Sequence, residues 1–288
     1  MKHTMESTLR TTILLAALTG LILAIGGMLG GRDGMTIALG LAAVMNFGSY
    51  WFSDKIVLRS YGAQPVAAEQ MPELHALVER LSEKAGLPVA PALYVLPDDG
   101  MNAFATGRSP RHAAVAVTRG LLQRLDRREL EGVLAHELAH VANRDILTGA
   151  IAATLAGAVM MLANTLRWGA MFGGSRDEGE GGSPFELLAM VILAPVAATI
   201  IQMAISRGRE YEADATGARI TGDPLGLASA LSRLESMARR VPVHAGEASS
   251  HLFIVSPLAG VSFSRLFSTH PPIEERIARL RTMAGASA

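Results

Sequence analysis

Four stretches of the chain, residues 11–30, 34–53, 146–166 and 187–206, contain no Asp, Glu, Lys or Arg. Each is about 20 residues long, and a helix of that length, rising ~1.5 Å per residue, reaches ~30 Å, the thickness of a bilayer's hydrocarbon core. A charge at the centre of such a helix costs about 2.5–3.5 kcal/mol on insertion, so four charge-free runs predict four transmembrane helices. The competing reading is helices buried in a large soluble core. It suits the Ala- and Gly-rich second pair better than the first. Composition favours the membrane. Only 18% of residues are charged and 50% are hydrophobic, with a mean hydropathy of +0.30, whereas a soluble domain carries about 25% charge.

The connections set the topology. Gly31, Arg32 and Asp33 alone separate the first two stretches, which predicts a tight hairpin with both ends on one side. Lys2 and Arg10 precede it, Lys55 and Arg59 follow it, and Arg207 and Arg209 follow the fourth stretch; basic flanks mark the cytoplasmic side. The first stretch exceeds a signal-peptide core and is followed at once by a second, so it reads as a retained anchor. Residues 167–186 are Gly-rich and acidic, a flexible loop on the far side. The expected organisation is a hairpin anchor (1–53), a first polar part (54–145), a second transmembrane pair (146–206) and a second polar part (207–288). The two polar parts together are the size of one domain. Apolar spacing predicts helices over 72–85, 128–142 and 225–240, and short runs at 92–96, 103–106 and 113–117 suit a small sheet.

Lys plus Arg and Asp plus Glu number 26 each, so no net field is available to hold nucleic acid. There is no cysteine. Any metal must therefore sit on His, Asp or Glu. The helix over 128–142 carries His136-Glu137-Leu138-Ala139-His140. Positions i and i+4 project from one face, so both imidazoles can reach one zinc ion, with Glu137 facing its water. Chance expectation for this pattern in a chain of this composition is on the order of 0.01 occurrences.

A catalytic zinc needs a third protein ligand and an open position. The metzincin continuation would require Gly and His where Asn143 and Ile146 stand, which excludes that subclass. Among downstream acidic residues the run from Arg207 to Asp214 is the densest. Glu210 and Asp214 are four apart, so one can bind metal while the other accepts a hydrogen bond from a ligating imidazole. A pair of spans that leaves and re-enters on one side delivers His140 and Glu210 to the same membrane face.

The transmembrane hairpin, the segment Asn102-Ala103-Phe104-Ala105-Thr106-Gly107, the His136 to His140 motif, Ser206-Arg207 with Glu210-Tyr211-Glu212-Ala213-Asp214, and Ser268-Thr269-His270-Pro271-Pro272 follow one another in an order that resembles the HtpX family. These are bacterial inner-membrane zinc metalloproteases similar to the CaaX prenyl proteases. The resemblance implies four transmembrane helices plus an α+β gluzincin-like protease domain on the cytoplasmic face. It also implies one zinc per chain on His136, His140 and Glu210, with Glu137 as general base and Asp214 as the partner of a ligand. Asn102, Ala103, Phe104 and Ala105 resemble an edge strand that binds extended peptide, and His270 and Arg276 resemble cleft groups that stabilise the oxyanion. Polypeptide substrates, membrane proteins above all, and a role in protein quality control under stress are implied in the same way.

The implied chemistry is peptide hydrolysis by water attack, with Glu137 moving the proton. A zinc transporter would place ionisable residues inside its spans, and none of the four stretches has one. A closed structural zinc site would leave Glu137 without a purpose.

Overall fold

The computed structural model describes residues 2–172, 207–238, 240, 241, 243, 252–255 and 271–286. The fourth charge-free stretch, most of the expected 167–186 loop, and His270 lie outside the described residues.

Helix α1 (Lys2–Ser60) is a helical hairpin folded at Gly30 and Gly31. Gly31 has φ 57°, the left-handed region that glycine alone enters freely, and the reversal there lets two apolar limbs run antiparallel. Arg32 and Asp33, expected in the turn, already belong to the second limb, which continues past residue 53 to Ser60. Polar side chains tie the limbs together: the Asn46 amide donates to the Thr19 hydroxyl at 2.8 Å. Helix α5 (Ile146–Phe172) packs along them. Leu14 and Leu18 bury against Ile151, Leu155 and Val159, and the Thr11 and Thr148 hydroxyls meet at 3.1 Å. The segment Gly30–Ser60 is long and apolar enough to cross a membrane, and Thr8–Ala24 and Ile146–Met160 are shorter apolar helical segments.

The polar part begins with a two-residue strand β1 (Gln64–Pro65) and helix α2 (Pro72–Lys84). Strands β2 (Ala92–Leu96), β3 (Ala103–Ser109) and β4 (His112–Thr118) complete a sheet of four strands among the described residues, in the order β1-β2-β4-β3. Strand β4 pairs parallel to β2 and antiparallel to β3, which leaves β3 at an edge. The short α3 (Arg119–Arg124) leads to α4 (Arg127–Ala142), on which α6 (Arg207–Thr221) and α7 (Pro224–Ala238) pack, with α8 (Ile273–Ala286) set against α7 and α6.

Helix α4 is the hub. It starts at a capping box: Asp126 accepts from the Glu129 backbone at 2.8 Å, and the Glu129 carboxylate accepts from Asp126 at 3.1 Å. Glu129 is itself buried, held by the Ser229 hydroxyl at 2.7 Å and the Arg233 guanidinium at 3.1 Å from α7. Val133, Leu134, Leu138 and Val141 are wholly buried in the main core with Val115, Val117, Leu227 and Leu231. A helix surrounded this way keeps little solvent face in its second half, where only His140 and Ala142 are part-exposed. Any polar residue there must find a partner inside.

Candidate metal centre

His136 and His140 lie one turn apart on α4, and their Nε2 atoms are 3.3 Å apart. Helix α6 brings Glu210 opposite them, its carboxylate oxygens 3.9 Å from His136 Nε2 and 3.6 Å from His140 Nε2. One donor atom from each of the three residues falls within 4.8 Å of the others. Donors held ~2.0–2.1 Å from a common tetrahedral centre stand ~3.4 Å apart, close to these spacings. Two imidazoles and a carboxylate, leaving one position open, are a donor set suited to zinc.

The other face of each imidazole is anchored. His136 Nδ1 donates to Asp214 at 3.0 Å, and His140 Nδ1 donates to Asp145 at 3.5 Å. Those bonds turn both Nε2 lone pairs toward Glu210. Asp145 reaches His140 because of how α4 ends. Asp145 N donates to His140 O at 3.0 Å and Arg144 N to Val141 O at 3.2 Å, with Arg144 at φ 62°. This Schellman turn folds the chain back under the helix, and the Arg209 guanidinium then donates to Asp145 at 3.0 Å.

Arg276 differs from the expected cleft-facing group. It is wholly buried. Its Nε and Nη2 donate to the two oxygens of Asp214 at 2.8 and 2.7 Å, and Nη1 donates to the Ile254 carbonyl at 3.0 Å. The guanidinium thus lies against the His136 ring, Nη2 3.5 and 3.4 Å from its two nitrogens and Nη1 3.7 Å from a Glu210 oxygen, while the fork-on-fork pairing with Asp214 commits Nε and Nη2. Helix α8 delivers it, and Arg279, one turn on, lies 3.6 Å over the Tyr211 ring of α6.

The electrostatics follow from burial and these partners. Burial pushes Glu137 up to about 7, against the pull of His140 and a hydrogen bond with the Ala105 backbone. Burial lowers His136 to about 4 despite Asp214. Burial also opposes charge on His140, but Asp145 and Glu210 outweigh it and raise that group to about 9. The carboxylates that favour a proton there equally favour a cation. Asp214 falls to about 2, because Arg276 more than offsets its desolvation.

Asn102 precedes β3 and is buried, its amide donating to the Val255 carbonyl at 2.7 Å. Ala103, Phe104 and Ala105 lie in β3 itself, all buried. Phe104 packs against Phe253 and Tyr61, ring centroids 5.3 and 5.8 Å away. The Ala103 carbonyl accepts from Ile254 N at 3.2 Å, so part of the β3 edge is met by the chain's own 252–255 segment.

Sequence reasoning missed Asp145, Arg209 and Gly217. A methyl on Gly217 would stand 2.9 Å from His136 N, so only a glycine lets α6 approach closely enough to aim Glu210. That signal was present: 210, 214 and 217 share one helical face. Asp145, by contrast, reaches His140 only through the reversed turn.

The sequence profile of Peptidase family M48 matches residues 68–284, which contain every residue of the centre. The chain is 59% identical over 280 residues to a protein named Protease HtpX homolog from Desulforapulum autotrophicum, covering 96% of this chain and 90% of that one. It is 55% identical over 276 residues to the protein of the same name from Pyrococcus furiosus, covering 96% and 95%. The crystal structure of S. mikatae Ste24p superposes with a TM-score of 0.52 at 20% identity, over 97% of this chain and 66% of that one, a likeness of fold. The family resemblance carried by the motifs is borne out. The chain belongs to Peptidase family M48 and is a metalloprotease.

Proposed function

We propose that this protein is a multi-pass bacterial inner-membrane zinc endopeptidase whose catalytic part faces the cytoplasm. Its substrates are polypeptides, principally misfolded or damaged membrane proteins, and its role is proteolytic quality control under stress. The observation that carries this reading is the convergence of His136, His140 and Glu210 within 4.8 Å, with the buried carboxylate of Glu137 beside them. When bound, zinc supplies Lewis acidity, polarising the scissile carbonyl and acidifying water. Glu137 takes the proton of the attacking water and passes it to the leaving amine. Asp214 orients His136, and Arg276 holds Asp214 in place, acting as a positioning residue rather than as an oxyanion donor. Asp145 orients His140 in the same manner.

An extended peptide binds along the β3 edge at Asn102 to Ala105 by backbone pairing, which tolerates many sequences. At Ala103 it takes the place of the Ile254 hydrogen bond. The four-span arrangement is supported by the length and apolarity of the α1 hairpin and α5 and by the basic residues that flank them.

The test uses protein purified in detergent with zinc and unfolded casein as substrate. Wild type cleaves. Glu137→Gln loses about 10²–10⁴-fold in rate with zinc content unchanged, and sustained proteolysis by the metal-loaded variant would sink the assignment of the base. His140→Ala and Glu210→Ala lose the metal on elemental analysis, and full zinc occupancy after Glu210→Ala would point to a different third ligand.

A further inference from the structure

Beside the metal centre, where the two limbs of α1 and the start of α5 meet the β3–β4 turn, the protein has a cavity of about 370 Å³. Thr8 and Thr12 line it from the first limb, Tyr50 from the second, Arg108 and Ser109 from the turn and Arg144 from the end of α4. A second cavity of about 360 Å³ shares Ser109 and Arg144 and adds Arg111. No Asp or Glu lines either one. Three arginines thus surround one polar turn, with hydroxyl groups opposite and no carboxylate lining the space. The first cavity has on the order of ten times the volume of one water in the liquid.

Two details set this apart from a chance cluster of surface arginines. Arg108 is half-buried, its guanidinium 5.1 Å from the centre of the Trp51 ring, beside the exposed Tyr50. Tyr and Trp collect where a bilayer meets water. Arg144 occupies the left-handed position of the Schellman turn, φ 62°, which glycine or asparagine takes at less strain. The backbone at 144 therefore does not call for arginine, and the residue lines both cavities. Guanidinium groups pair with phosphate through parallel hydrogen bonds.

We propose that this cavity binds an anionic phosphate ester, the headgroup of an acidic phospholipid, with Arg108 and Arg144 on the phosphate and the Tyr50 and threonine hydroxyls around it. The proposal rests on the membrane reading above, since only a chain whose α1 limbs and α5 enter the bilayer holds this cavity at headgroup depth. Arg144 is joined to Asp145, which holds His140, so an occupied site sits one peptide bond from the group that orients a proposed ligand of the metal.

The full-length protein, in a neutral detergent, is titrated with phosphatidylglycerol, phosphatidylcholine or soluble glycerol phosphate, and the bound molecules are counted by native mass spectrometry. Phosphatidylglycerol is retained in preference to phosphatidylcholine. Arg108→Gln and Arg144→Gly each weaken it about fivefold, and because both hold one phosphate the pair together departs from the product of the two. Glycine suits the turn at 144, so loss of lipid by a variant of unchanged melting temperature reports the side chain and not a damaged helix. Equal retention of the two lipids by wild type, or retention of phosphatidylglycerol at wild-type strength by the double variant, overturns the site. Glycerol phosphate bound as tightly as the lipid supports the anion site but moves its occupant to solution. Flotation with vesicles after carbonate washing separates the two readings: protein that floats without lipid preference defeats this proposal alone, whereas protein that does not float defeats the membrane reading.

Discussion

Helix α4 and the second limb of α1 are both rich in apolar residues, yet they bury opposite things. In α4 the large side chains Leu134 and Leu138 are wholly enclosed, and His136 and Glu137 are enclosed with them. In the second limb of α1, between residues 37 and 52, the large side chains mostly face outward: Ile37 is 75% exposed, Val44 70% and Phe47 61%. Up to residue 53, what that limb buries is small or hydroxylic, namely Ala38, Ala42, Ser49 and Ser53, whereas Val57 and Leu58 beyond it join the core of the polar part with Leu96 and Phe104. The first pattern is that of a protein core in water. The second is the pattern expected where helices pack through small residues and the surroundings are as apolar as leucine. An apolar helix is therefore described less by its composition than by which of its residues its neighbours cover.

Three substitutions break or sharpen this contrast. Arg276→Ala has the largest effect, because it leaves Asp214 buried without its guanidinium: about 3–5 kcal/mol of destabilisation and a 10–100-fold weaker metal affinity, read by thermal unfolding in detergent and by zinc titration. If the two act as a unit, Asp214→Ala combined with Arg276→Ala costs less than the sum of the single changes. Val44→Lys follows, at about 2.5–3.5 kcal/mol against insertion. Carbonate-resistant membrane retention falls if that face meets lipid, whereas a face in water tolerates the lysine within about 0.5 kcal/mol. Gly217→Ala is the smallest, at about 1–3 kcal/mol of overpacking between α6 and α4. It weakens zinc binding more than it lowers the melting temperature, since Glu210 moves with α6.

Much of the architecture was legible before the structure. The helix over 128–142, the helix over 72–85 and the three longer strands appear within a few residues of where periodicity puts them. Strand β1, only two residues long, was not legible, because two residues carry no alternation. The pairing of His136 with His140 was legible too, since four residues make a little more than one helical turn. Arg276 was not: it precedes nothing that marks it as buried, and its helix reads as amphipathic and charged.

The sequence by itself determined what is local or compositional: the charge-free lengths that make spanning helices possible, the two imidazoles on one face, the shared face of Glu210, Asp214 and Gly217, and the absence of any thiol ligand. Tertiary structure alone decided which carboxylate meets which imidazole, and what holds each carboxylate. Arg276 and Asp214 are 62 residues apart, and Asn102 and Val255 are 153 apart. Helical period fixes neighbours within a turn or two. Contacts across such separations exist only once α6 and α7 have packed on α4 and α8 on α7 and α6, and burial then requires every polar group so enclosed to find its partner there.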